Sequence, residues 1–221
     1  MNSFDLLLAL KTSGYLKTDR DMLWWPRSGT FWVIVGAVLT QQTKWEKVEQ
    51  SMHNLQTAGL DSLALIAESS LDTLSMLIKP SGFYNTKAKN LKSLCSNILV
   101  TFGSFEEFCE DVSRDWLLEQ KGIGPESADS ILCYACCQEV MVVDAYTSRL
   151  MESFGYQFES YDTLQEWMIE GIVINQKHLA SVYHKEISLN EVYARFHGKI
   201  VEFCKENSQG KKVKSESLGL M

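Results

Sequence analysis

Three residues, spaced as they are, could do chemistry in this 221-residue chain: two glycines at Gly122 and Gly124, and an aspartate about twenty positions on, Asp144. Glycines so close together let the main chain adopt conformations that side chains resist and approach a ligand closely. Amide N–H groups freed at such a reversal, and at the start of a following helix, could bind a phosphate without reading sequence. An ordinary interhelical turn is the other reading of Gly122-Ile123-Gly124. Asp144 follows the apolar Met141-Val142-Val143 and opens a helix, where aspartate is a common N-cap. A carboxylate held there would also stabilise positive charge that develops in a transition state. On position alone the cap is the better reading.

The elements that must position these residues are helical. A helix ends at Gln120, the two glycines bracket a tight reversal, and Pro125 takes the first position of a second helix, which makes a helix-hairpin-helix. Ala128, Ile131, Leu132, Ala135 and Cys136 then form one helical stripe, so the second arm packs inward. Further stripes run through Phe31, Ile34, Val35, Val38 and Leu39, and through Trp45, Val48, Met52 and Leu55. Ser104-Phe105-Glu106-Glu107 reads as a capping box, and Pro80-Ser81-Gly82 breaks the chain before a helix carrying Leu91, Leu94 and Ile98. Strand signals are nearly absent, and the expected class is all-α.

The last helix is expected over residues 190–206, with Val192, Phe196, Ile200 and Phe203 facing inward. Lys199 shares that face. A cation there must pair with a carboxylate, lose its charge or reach solvent along its stem. A partly buried ammonium in an acidic or modified environment is expected, with snorkelling as the alternative. Beyond Ser208 the Lys- and Ser-rich tail is expected to fray.

A chain of this length can bury one core or two lobes. No apolar run is long enough to span a bilayer, and the start, Met-Asn-Ser-Phe-Asp, lacks the build of a secretion signal, so a cytoplasmic protein without a membrane partner is expected. Its cysteines, Cys95, Cys109, Cys133, Cys136, Cys137 and Cys204, are then reduced and read as small buried apolar residues. The net charge of −7 opposes nucleic-acid binding. Local charge matters more: Lys87, Lys89 and Lys92 cluster, as do Lys199, Lys205, Lys211, Lys212 and Lys214, while acids gather at positions 106–111. Trp24-Trp25-Pro26 cannot lie on one helical face, because neighbours point apart. A stacking pocket accounts for the pair; core packing is the alternative.

Leu118-x-x-x-Gly122-Ile123-Gly124 with Val143-Asp144 resembles the helix-hairpin-helix DNA glycosylase superfamily, whose best-known member is endonuclease III. Val38-Leu39-Thr40-Gln41-Gln42-Thr43, Ser81-Gly82-Phe83-Tyr84-Asn85-Thr86-Lys87-Ala88 and Phe196-His197-Gly198-Lys199 extend the likeness along the chain. The resemblance implies two helical lobes with a DNA-binding cleft between them: residues 28–136 carrying the hairpin, and residues 1–27 joined with 137–221. It implies a monomer acting in base excision repair on double-stranded DNA containing damaged bases. Asp144 becomes the essential acid, which favours charge work over capping alone. Gln41 becomes the residue that fills the gap left by an extruded base. Gly122, Ile123 and Gly124 become DNA-binding, and the hairpin carbonyls a monovalent-cation site.

Bifunctional members carry a nucleophilic lysine two residues after the second hairpin glycine. This chain has Glu126 there, and Lys121 is misplaced. The resemblance therefore implies a monofunctional enzyme with water as nucleophile, with Glu126 lining the base pocket or simply favouring the helix dipole. Members with an iron–sulfur cluster carry four cysteines after the His-Gly-Arg segment; here only Cys204 follows Lys199, so no cluster is expected, and no zinc spacing appears. The Trp-Trp-Pro element, the glutamate and the missing cysteines together resemble the bacterial 3-methyladenine DNA glycosylase III branch. Trp24, Trp25 and Trp45 are then pocket residues for a cationic purine, each worth roughly 0.5–2 kcal/mol through stacking and cation–π attraction. Lys205 falls at a pocket-lysine position of that branch and is equally a helix-terminal cation. His197 and Gly198 read as packing or phosphate contacts. Two other functions stand beside this one: an adenine-mismatch glycosylase, suggested by Leu39-Thr40-Gln41-Gln42-Thr43, and a non-catalytic DNA-binding module, which needs neither Asp144 nor the tryptophan pair.

Overall fold

The computed structural model describes residues 1–16 and 22–220. The chain divides into two compact units, Met1–Pro26 with Gln138–Met221, and Arg27–Cys137, and both are built almost wholly of helices. The first unit opens with α1 (Ser3–Thr12). Asn2 starts it by accepting from the Asp5 amide while the Asp5 carboxylate accepts from the Asn2 amide, and Leu6, Leu7 and Leu10 are fully buried.

The second unit holds α2 (Trp32–Leu39), α3 (Trp45–Thr57), α4 (Leu63–Glu68), α5 (Leu71–Leu77), α6 (Tyr84–Phe102), α7 (Phe105–Asp111), α8 (Arg114–Leu118) and α9 (Pro125–Ser130). All of α2 is buried, as a helix apolar on every side must be. The serines Ser62, Ser70, Ser104 and Ser113 cap α4, α5, α7 and α8, each accepting from the amide three residues on. α9 passes directly into a wider π-helical turn, Ile131–Ala135, closed by the Cys136 amide donating to the Ile131 carbonyl. That turn buries five residues in succession and leaves Cys136 half-buried, where an ordinary helical stripe was expected.

Returning to the first unit, α10 (Ala145–Ser153), α11 (Tyr161–Ile174), α12 (Leu179–Tyr183) and α13 (Leu189–Asn207) follow. α1 packs on α11 and α13, and α10 packs on α13. The inner face of α13 carries Val192, Phe196, Ile200 and Phe203, all buried as expected.

Four expectations are corrected. The tail does not fray: two short antiparallel strands, β1 (Ser208–Gln209) and β2 (Lys212–Val213), turn at Gly210, and Val213 and Leu218 bury themselves in the core of the first unit. Two apolar residues anchor an otherwise polar run. Lys199 is more deeply buried than expected, only 3% exposed, and its ammonium donates to the main-chain carbonyl of Tyr15. Burial first, then Arg195 and Lys11, lower its pKa to about 8, against Glu202. Of the lysine cluster at 87–92, Lys87 is buried and Lys92 donates to the carbonyls of Ala67 and Ser69, so both hold protein loops. Among the cysteines, Cys95, Cys133 and Cys204 are buried as expected, whereas Cys109 and Cys136 are half-buried and Cys137 is exposed.

Candidate functional site

In the first unit the site is assembled by the start of α10, the middle of α13 and the loop before Pro26. Asp144 caps α10: its Oδ1 accepts from the Thr147 amide at 2.8 Å and from the Thr147 hydroxyl at 3.0 Å. Its other oxygen, Oδ2, lies 3.5 Å from Nε2 of His197 on α13, and the Asp144 side chain is 13% exposed. Burial alone would raise its pKa. The nearby His197 imidazole, with both Thr147 contacts, outweighs burial and holds the carboxyl below the usual carboxylate range. Capping and charge therefore coexist, because the helix start uses only one oxygen.

The imidazole of His197 stands edge-on to the Trp24 indole, centroids 5.3 Å apart, and Trp24 stands edge-on to Trp25 at 6.3 Å. Behind Trp24, Gly198 clears the space: a Cβ there would come within 2.4 Å of the indole Cγ. Arg195 pins the loop from the same helix by donating to the Met22 carbonyl at 3.0 Å. Trp24 adopts a left-handed backbone, φ 74°, so both indoles can turn inward from adjacent positions. Both are 7% exposed, so in this structure they form a closed wall and not an open platform. Lys205 is exposed in the last turn of α13.

In the second unit, Phe102, Phe108 and Trp116 interlock at ring distances of 5.0–6.0 Å and seat α8. Arg114 and Asp129 tie α8 to α9 through paired bonds of 2.8 and 3.2 Å, with Asp129 fully buried. The turn between them needs Gly122, at φ +82°, where a Cβ would fall 2.1 Å from the Asn90 amide nitrogen. Ile123 is buried, Gly124 is extended, and Pro125 opens α9 as expected. The side-chain amide of Gln41 donates to the Gly122 carbonyl at 2.9 Å and to the Ser127 hydroxyl at 3.1 Å. Lys87 steadies the loop that carries Gln41. Its ammonium donates to Leu39 O, Thr43 Oγ1 and Ser81 O at 2.8, 2.7 and 2.8 Å, and burial lowers its pKa to about 8. Trp45 is half-buried at the start of α3, and Glu126 is exposed in the first turn of α9.

The structure thus brings Asp144, Trp24 and Trp25 into one connected group through His197, and Gln41 onto the hairpin. It also names residues that sequence reasoning passed over, namely Asn90, Arg114 with Asp129, Ser127 and Thr147, and sets His197, read there as a packing or phosphate contact, between Asp144 and Trp24. Only Thr147 left a signal, its hydroxyl lying three residues beyond a capping aspartate. Among the described residues no three His, Cys, Asp or Glu side chains converge as a metal site requires, and no helix is long and apolar enough to cross a membrane.

Residues 35–166 match the pattern of the HhH-GPD superfamily of base excision DNA repair proteins. A Methanocaldococcus jannaschii protein named as a DNA repair glycosylase is 39% identical over 190 residues, 83% of this chain and 80% of that one. The crystal structure of an H. pylori 3-methyladenine DNA glycosylase bound to 1,N6-ethenoadenine is similar with TM-score 0.91 and 47% identity, over 95% of this chain and 100% of that one. A non-covalent endonuclease III–DNA complex shares the fold at TM-score 0.68 and 17% identity, over 98% and 92% of the two chains.

Proposed function

This chain belongs to the HhH-GPD superfamily of base excision DNA repair proteins, and from that premise we propose that it is a monofunctional glycosylase removing alkylated purines, 3-methyladenine foremost, from double-stranded DNA. The observation that carries the reading is the carboxylate of Asp144, held ionised beside His197 and linked through it to the buried Trp24 and Trp25. As the bond between the base and C1′ lengthens, its electrons pass to the base and neutralise the charge that alkylation placed there. Positive charge then develops on the deoxyribose, where a fixed anion stabilises the transition state more than the ground state. Water adds to C1′ and loses its proton, leaving an abasic site.

Glu126 supports the hydrolytic outcome. A carboxylate stands where the bifunctional members have their amine, and Lys121, the amine of that turn, precedes the first glycine. Indole walls suit a cationic purine, since their faces attract positive charge. The 47% identical H. pylori structure is that of a 3-methyladenine DNA glycosylase holding a modified adenine, which favours the same substrate class here. We take the enzyme to work without an iron–sulfur cluster. Cys204, the one cysteine after Lys199, has a thiol that burial pushes up to about 12, which suits it poorly to ligation as a thiolate.

Base release measured side by side on methylated, mismatch-containing and undamaged duplexes tests the proposal. Free 3-methyladenine from the first alone, with no borohydride-trapped adduct, is the expected result. Adenine released from a mismatch, or a covalent protein–DNA adduct, would overturn it.

A further inference from the structure

We propose that His197 is a positioning residue: its imidazole holds the free oxygen of the Asp144 carboxylate in place and ties that carboxylate to the indole wall. The inference rests on the charge role given to Asp144 above. Thr147 engages only Oδ1, with bonds of 2.8 and 3.0 Å. A carboxylate anchored at one oxygen still turns about its last torsion, which is broad for an sp³–sp² bond. Nε2 of His197 is set against Oδ2, at 3.5 Å. That separation exceeds a formed hydrogen bond, and contacts of this kind shorten when substrate closes the site.

The imidazole is fixed in turn. It is 4% exposed, it meets the Trp24 ring edge-on at 5.3 Å, and the next residue, Gly198, lies directly against that indole. One side chain therefore fixes the distance between the anion that would face the sugar and the aromatic wall that would face the base. A residue serving only as core filler needs no nitrogen aimed at a carboxylate.

The test uses the full chain and a duplex carrying one 3-methyladenine, read by single-turnover base release and by DNA affinity. His197→Phe keeps a ring against Trp24 but removes the donor, whereas His197→Gln returns an N–H near the position of Nε2. The rate should fall about tenfold or more in His197→Phe with DNA affinity within about twofold, and recover by at least threefold in His197→Gln. Adding His197→Phe to Asp144→Asn should change the residual rate little, since both act through one carboxylate. Equal loss in the Phe and Gln variants, a His197→Phe enzyme at wild-type rate, or additive losses in the double variant would overturn the proposal. Should His197→Phe not fold, the Gln enzyme decides: a loss beyond threefold there that adds fully to Asp144→Asn rejects positioning, and a rate within threefold upholds it. An Asp144→Asn enzyme at wild-type rate would sink the charge role and this inference together. A dead Asp144→Asn beside an intact His197→Phe sinks this inference alone.

Discussion

Gly198→Ala sets two effects of known size against each other. In mid-helix, alanine is favoured over glycine by about 0.5–1 kcal/mol. Here the new methyl would meet the Trp24 indole at 2.4 Å from Cγ and 2.7 Å from Cδ1 and Cδ2. Carbon atoms rest near 3.5–4.0 Å, so the ring must retreat by roughly 1 Å or more. It has little room, with 7% exposure and with His197 and Trp25 at 5.3 and 6.3 Å. Overpacking costs about 1–3 kcal/mol, and contacts this short place it in the upper half of that range, so that a helix gain of about 1 kcal/mol still leaves a net loss of roughly 1–2 kcal/mol. In a chain of this size that lowers the unfolding temperature by about 2–8 °C. The displaced indole also moves the imidazole that faces Asp144, so base release should fall more than stability accounts for. Calorimetry and single-turnover base release on the same preparation check both parts. A variant that is more stable than wild type and equally active would show that helix propensity won, and the packing argument for Trp24 would fail.

Asp144→Asn should cut base release by roughly 10²–10⁴ while leaving stability within a few tenths of a kcal/mol, because asparagine caps helices as well as aspartate does. Single-turnover kinetics beside urea unfolding would expose the opposite pattern. Arg114→Ala removes an ion-pair partner from the fully buried Asp129, and urea unfolding should show a loss toward the lower end of about 3–5 kcal/mol, since Arg114 itself is 32% exposed; a loss under about 1 kcal/mol would mean the pair is merely superficial. Lys199 has a folded pKa of about 8 against an ordinary value of 10.5. The folded state releases this proton first, so wild type should gain stability relative to Lys199→Met as pH rises from about 7 to 9. A difference that stays constant across that range would contradict the burial-driven shift.

What could be read from the sequence was local in origin. Gly122, Gly124 and Pro125 declare the hairpin because backbone conformation depends on the residues that adopt it. The buried stripe of α13 follows from spacing alone. The roles of His197 and Lys87 come from partners brought close by tertiary packing: Asp144 lies on another helix, and the oxygens around Lys87 are mostly main-chain carbonyls. Any residue type supplies a carbonyl, so such a partner leaves no trace in the sequence. Lys199 likewise meets a peptide oxygen, that of Tyr15. Trp24-Trp25 was recognisable as an oddity for a helix, but the left-handed backbone at Trp24 that turns both rings inward was not.

The ammonium of Lys87 carries three hydrogens, and three oxygens from three separate stretches of chain converge on it: the end of α2, Thr43, and the turn before α6. Donor number and acceptor number match, with nothing left over. A planar guanidinium could not reproduce that tripod, and a neutral acetylated amine would offer it a single hydrogen. The segment bearing Gln41 thus inherits its place from one tetrahedral nitrogen.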